Sequence, residues 1–327
     1  MDPELTAMVA ALPRMAAGDP AAARRLMGEF IAQFTADAKS AGSGALTISD
    51  RTIPGPVGAP AVRVRLYEPR QRQANAPCLV YFHGGGFMAG DLDSEHLRCV
   101  RLAAQADCVV VSVDYRLAPE HRFPAAVEDC YAALSWTAAN ADDLAIDRSR
   151  VGVGGVSAGG GLAAAVALMA RDRQGPVVAF QMLLFPVLDD RMESPSMTFV
   201  GTPLFDGPAA ARMWSSYLGE NRSSPSPYAA PARAEDLRDL PPTYLATGEF
   251  DPLRDEGIAY AMRLLAADVS VELHNFAGTF HTFDVFETTV SARATSEQVD
   301  WLRRIAHRLK DSVPEQSIQQ STDGGSR

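Results

Sequence analysis

The sequence predicts an α/β fold: a mostly parallel eight-stranded sheet flanked by helices. Three observations carry this. Short runs rich in Val, Leu, Ile and aromatic residues alternate with helical segments along the chain, the order that lays helices over both faces of a parallel sheet. Runs such as Val109-Val110-Val111 are apolar without alternation, as central strands are. The chain of 327 residues is long enough to bury a large core with helices inserted between the strands.

Taken in order, residues 5–34 are helical by pattern. Strands are predicted at 45–52, 61–67, 77–82, 108–114, 150–154, 178–185, 243–247 and 270–275. In the second, Arg63-Val64-Arg65-Leu66-Tyr67 alternates polar and apolar residues, which predicts a half-exposed edge strand. Residues 177–188 form the longest apolar segment; interrupted by Gln181, it reads as a buried strand and is too short for a membrane span. Residues 192–218 fall outside the sheet and carry Met197, Phe199, Phe205, Met213, Trp214 and Tyr217. These side chains either line a pocket or pack on the core. Residues 299–309 read as a terminal amphipathic helix. The end, 313–327, is rich in Ser, Gln and Gly and is expected to be disordered.

The formal charge of −10 argues against nucleic acid and anionic membranes as partners. Cys78, Cys99, Cys108 and Cys130 form no C-x-x-C pair and sit in apolar or helical settings, so buried reduced thiols and no metal site are expected. Met1-Asp2-Pro3-Glu4 offers neither a basic region nor an apolar stretch, which excludes a signal peptide and predicts a soluble cytoplasmic chain.

The chemistry centres on Gly155-Val156-Ser157-Ala158-Gly159, where an apolar strand runs into a small-residue helix. A serine forced into so sharp a turn needs neighbours without bulk on both sides. Its hydroxyl then stands at the top of the sheet, over a helix N-terminus. To become a nucleophile it also needs a base, an orienting acid and donors for an oxyanion. On this architecture they follow in the order serine, acid, histidine. Of the histidines after Ser157, His274 lies within an alternating strand and His307 within the terminal helix. His281 occupies a loop leaving the C-terminal end of the last strand, where α/β sheets place their chemistry, and is the predicted base. The acid is expected in Gly248-Glu249-Phe250-Asp251-Pro252-Leu253, after the 243–247 strand. Asp251 is favoured because the following proline holds its backbone extended. Glu249 reads as a surface or supporting residue, and Asp255 as a helix-start charge. Donors are expected from His83-Gly84-Gly85-Gly86-Phe87, after the strand at 77–82, since consecutive glycines let backbone N–H groups turn towards a ligand.

With those blocks and a fourth, Asp114-Tyr115-Arg116-Leu117-Ala118-Pro119-Glu120-His121-Arg122-Phe123-Pro124-Ala125-Ala126, the chain resembles the hormone-sensitive-lipase-like bacterial esterases of the α/β-hydrolase superfamily, also called bacterial family IV carboxylesterases. The blocks span most of the chain. The resemblance implies Ser157, Asp251 and His281 as the catalytic residues. It implies Gly85, Gly86 and Ala158 as oxyanion donors, with Gly84 shaping the same loop and His83 bracing it. His121 and Asp114 match structural positions. It further implies a helical cap in two parts, 1–44 and 189–222, over a core of 45–188 and 223–312, with 313–327 as a tail. Two positions depart from the family pattern. Val156 stands where an acidic residue usually precedes the nucleophile, and Thr282 stands where glycine usually follows the histidine.

The implied reaction is hydrolysis of short- to medium-chain carboxylic esters through an acyl-enzyme, without a cofactor. The implied partner is a small-molecule ester. Relatives also dimerise through the edge of the last strand, so a homodimer is an option. Amide or carbamate hydrolysis and acyl transfer use the same site and stay open, as does a non-catalytic small-molecule binder.

Overall fold

The computed structural model describes residues 1–9, 44–72, 74–219 and 223–311, with residues 21, 22, 24, 25, 28 and 29 between the first two stretches. The expected disordered tail at 313–327 and much of the helical stretch at 5–34 lie outside the described residues.

Eight strands form one sheet: β1 (Leu46–Ile53), β2 (Val62–Pro69), β3 (Ala76–Phe82), β4 (Val109–Asp114), β5 (Ile146–Val156), β6 (Gln181–Leu184), β7 (Thr243–Gly248) and β8 (Val271–Phe276). Their spatial order is β1-β2-β4-β3-β5-β6-β7-β8. Pairing is antiparallel from β1 to β2 and from β2 to β4, and parallel from β4 across to β8. The helices with bounds among the described residues are α1 (Pro3–Val9), α2 (His96–Ala106), α3 (Ala125–Ala139), α4 (Ala158–Asp172), α5 (Gly207–Leu218), α6 (Arg254–Ala266) and α7 (Thr289–Asp311).

Side chains alternate across a strand, so a strand buried on both faces feeds two cores. In β3, Cys78, Val80 and Phe82 join the core that holds Val127 and Cys130 of α3 and Leu162 and Val166 of α4. Leu79 and Tyr81 face the other way, to Cys99 and Leu102 of α2 and Val299 and Leu302 of α7. Helix α4 is buried at every residue from Ala158 to Ala170, which is why its sequence is small and apolar all round. All four cysteines are buried and free. Among the described residues no helix is long and apolar enough to cross a membrane.

The β2 expectation is corrected. This strand pairs on both sides, and β1 forms the edge of the sheet. The alternation arises because Arg63 and Arg65 project from one face of β2 and pair there with Asp50, Asp93 and Asp114. A solvated, ion-paired sheet face leaves the same pattern as a free edge. The 177–188 segment is strand only over Gln181–Leu184, although its backbone pairing continues through Ala179 N–H to Val151 O and Phe185 N–H to Ala246 O. Gln181 is accommodated because its Nε2 donates to Thr243 Oγ1 at 2.8 Å.

The register brings the C-terminal ends of the strands to one edge: Phe82 lies opposite Gly155, Val156 opposite Leu184, and Gly248 opposite Phe276. The loops that leave β3, β5, β7 and β8 therefore emerge side by side, the usual place for a site on a parallel sheet.

Candidate active site

Ser157 sits between β5 and α4 with φ 58° and ψ −120°, a conformation costly for any residue with a Cβ. Its backbone is bonded on both sides. Its N–H donates to Leu184 O at 2.8 Å, and its carbonyl accepts from Gly161 N–H and Val187 N–H, each at 3.1 Å. Close approach of the chain explains the glycine two residues on: a β-carbon on Gly159 would stand 2.0 Å from Phe82 O.

The loop after β8 brings His281 to this serine. His281 Nε2 lies 2.9 Å from Ser157 Oγ, and Nδ1 lies 2.7 Å from Asp251 Oδ2. With Nδ1–H donating to the carboxylate, Nε2 is left to accept from the hydroxyl. Asp251 is fully buried and its other oxygen accepts from Leu253 N–H at 2.8 Å, so the carboxylate is fixed at both oxygens. Ser157 and His281 are each only 5% exposed.

The rival acids have other partners. Glu249 Oε2 accepts from Gly278 N–H at 2.6 Å, and Phe250 N–H donates to Thr279 O at 2.8 Å. Glu249 thus ties the β7 loop to the loop that carries His281. Asp255 accepts from Ser196 N–H at 2.8 Å in the first turn of α6. His274, on the outer strand β8, pairs with Glu272 of the same strand and Glu297 of α7. The side chain of His307 lies outside the described residues.

The glycine loop leaves β3 directly beside the elbow. A β-carbon on Gly84 would stand 3.6 Å from Ser157 Cβ, and Gly85 and Gly86 adopt φ +111° and +62°. Among the described residues, no acceptor takes a hydrogen bond from the N–H groups of Gly85, Gly86 or Ala158. His83 holds the loop. Its Nδ1–H donates to Gly84 O at 2.7 Å, its ring stacks on Tyr115 with centroids 4.1 Å apart, and Tyr115 Oη–H donates to its carbonyl at 2.8 Å. Burial pushes its pKa down to about 4, so the ring is neutral at pH 7 and acts as a brace.

Three apolar side chains border the array. Phe205 stands against the His281 ring, centroids 4.9 Å apart, and Phe185 meets that ring edge-on at 6.0 Å. Met213 of α5 lies over the glycine loop, with its Cγ 3.3 Å from where a Gly86 β-carbon would be. Trp214 and Tyr217 instead pack on Phe87. The aromatic and Met residues of 192–218 are therefore divided between site and core. Sequence reasoning did not single out Phe185, although its position directly after β6, at the functional edge of the sheet, is a usable signal. Of the two departures, Val156 is buried with Cγ1 3.2 Å from a Gly84 β-carbon position, and Thr282 adopts φ 55°, ψ 31°. The latter is the left-handed region that suits glycine.

Residues 79–285 match the family of the alpha/beta hydrolase fold. Esterase LipI of Mycobacterium tuberculosis is 42% identical over 266 residues, covering 80% of this chain and 83% of its own. This chain belongs to the hormone-sensitive-lipase-like esterase family of the α/β hydrolases. This α/β hydrolase is also similar to carboxylesterase NlhH of the same organism, at 40% identity over 270 residues, with 80% of this chain and 84% of that one covered. Among solved structures, a bacterial heroin esterase superposes with TM-score 0.90 at 46% identity, covering 94% of this α/β hydrolase and 98% of that chain. Esterase LipW from Mycobacterium marinum gives 0.85 at 42%, covering 93% and 96%.

Proposed function

We propose that this enzyme hydrolyses short- to medium-chain carboxylic esters in two steps, with Ser157 as nucleophile, His281 as base and Asp251 as orienting acid. The observation that carries the reading is the unbroken hydrogen-bond line from Ser157 Oγ through His281 to the buried Asp251 carboxylate. His281 takes the hydroxyl proton as Oγ attacks the acyl carbon, and Asp251 holds the imidazole tautomer and offsets its charge. Gly85, Gly86 and Ala158 donate their N–H groups to the oxyanion, with Gly84 shaping the loop. His281 returns the proton to the leaving alcohol. Water then repeats the sequence on the acyl-enzyme and regenerates Ser157.

The cap of this proposal is 1–44 with 189–222, over a core of 45–188 and 223–312. Phe205 lies against His281 and Met213 over the glycine loop, a covered site that suits monomeric esters better than emulsified fat. A homodimer through the half-buried edge strand β8 belongs to the same proposal, and sedimentation tests it. Four free, buried cysteines fit a reducing, cytoplasmic setting.

Hydrolysis of p-nitrophenyl esters from acetate to palmitate, with wild type and Ser157→Ala, tests the reaction. Activity that peaks at short chains and falls by roughly 10⁴ or more in the variant is the expected result. Tight ligand binding by wild type without turnover would instead select the non-catalytic reading.

A further inference from the structure

The turn after His281 is gripped by a buried ion pair that none of the chemistry above uses. Asp284 lies in the short 3-10 turn Phe283–Val285, three positions beyond the base. Its side chain is 0% exposed, and that of its partner Arg98, in α2, is 6% exposed. The contact is two-pronged: Arg98 Nη1 donates to Asp284 Oδ2 at 2.6 Å, and Nη2 to Oδ1 at 3.1 Å. Gln298 of α7 adds a donor to Oδ2 at 2.9 Å. Arg98 is oriented in turn by Glu95, whose Oε2 accepts from Nε at 2.8 Å. Ser291 Oγ–H, also in α7, donates to Phe283 O at 3.0 Å. The turn is thus fixed to two helices at once.

Stability is a poor reason for such an arrangement. Taking both charges out of water offsets most of their attraction, and well-packed apolar pairs often serve as well or better. What the guanidinium fork supplies is direction, because two parallel bonds fix where a carboxylate sits and how it is turned. Direction is what His281 needs, since a displacement of about 1 Å at a reacting group costs on the order of 10²-fold in rate. The other flank of the loop is held by Glu249 on Gly278. Between the flanks, Thr282 is kept in a left-handed conformation that a β-branched residue does not choose alone.

We propose that Arg98 and Asp284 are positioning residues that hold the turn after His281 so that Nε2 stays within reach of Ser157 Oγ. The inference rests on the proposed roles of Ser157 and His281.

The test replaces the pair by apolar residues of similar size, Arg98→Met with Asp284→Leu. Three quantities are read: the urea unfolding midpoint, kcat and KM for p-nitrophenyl butyrate, and the downfield proton resonance of His281 Nδ1–H, assigned by its loss in His281→Gln. The expected double variant has an unfolding midpoint at or above wild type and unchanged KM. Its kcat falls at least tenfold, and its Nδ1–H signal is broadened or lost. Wild-type kcat with a sharp Nδ1–H signal would reduce the pair to a packing feature and overturn the proposal. Should the double variant fail to fold, Asp284→Asn, which keeps the shape of the turn, decides by kcat and the Nδ1–H signal alone. Arg98→Lys keeps the charge without the fork and is expected to recover kcat only in part. If wild type itself turns over no ester, the reaction proposed above falls, and the Nδ1–H signal alone still decides this one.

Discussion

Phe205 lies against the imidazole of His281, ring centroids 4.9 Å apart and planes inclined by 36°. The two residues come from segments far apart in the chain, and the contact sets an apolar wall against the ring proposed to hand a proton to the leaving alcohol. An aromatic contact of this kind contributes about 0.5–1.5 kcal/mol beyond the area it buries.

Phe205→Ala is therefore expected to lower kcat/KM for p-nitrophenyl acetate by roughly two- to tenfold, the rate equivalent of that contact. Esters of bulky secondary alcohols should lose less or gain, because space opens on the leaving-group side. A ratio between the two substrate classes that matches wild type would contradict this placement.

The glycine loop offers a paired comparison. At Gly85, φ is +111° and a β-carbon would lie 2.1 Å from Ala89 O, a backbone atom. Gly85→Ala must displace the loop, and turnover should fall by about 10²–10³, as when an oxyanion donor is lost. At Gly86, φ is +62° and the nearest neighbour is the flexible side chain of Met213 at 3.3 Å. Gly86→Ala should cost about 1–2 kcal/mol of stability and less than roughly tenfold in rate. Steady-state kinetics on both variants that reversed this order would remove the donor assignment.

His83 makes acid stability a readout of the loop. Burial holds its pKa at about 4, below the ordinary 6.5. Below pH 6.5 the unfolded chain gains a proton that the folded chain refuses, so this contribution is full above pH 6.5 and is lost as pH falls towards 4. The loss amounts to about 3 kcal/mol. In His83→Phe, the drop in unfolding free energy between pH 7 and pH 4 should shrink by about that amount, even though the variant starts less stable without the Gly84 bond. Urea titrations at the two pH values measure it, and equal drops would show that His83 is not the group responsible.

Val156→Asp places a carboxylate in an apolar cluster against Gly84. Stability should fall by about 1–3 kcal/mol, with kcat changed by less than about tenfold. A gain of orders of magnitude in turnover would mean that the valine marks an enzyme turned away from its ancestral chemistry.

Much of this was legible because glycine spacing records backbone geometry directly. The turn around Ser157 and the loop after β3 follow from residues close in sequence to the features they create. The central strands were also legible, since strands buried on both faces leave uninterrupted apolar runs, as in β3 and β4. What escaped were contacts between distant segments. Arg98 reads as one more helix arginine and Asp284 as one more loop acid; only the fold joins residues 186 positions apart. Phe205 sits in a stretch with no periodicity to reveal which way it faces. The arginines of β2 misled for a related reason, because their aspartate partners on β1 and in the loop before α2 cannot be inferred from the strand alone.

The crowding at Gly159, where Phe82 O leaves no room for a β-carbon, separates the molecule into parts with different freedom to change. Gly155, Gly159 and Gly161 are boxed in by backbone, so a mutant library directed at those three would spend its members on misfolded chains. Phe205 and Met213 reach His281 and the glycine loop through side chains alone, from a segment outside the sheet. New ester preferences are therefore to be sought at positions 205 and 213, where variation alters the shape presented to a substrate without a clash against backbone.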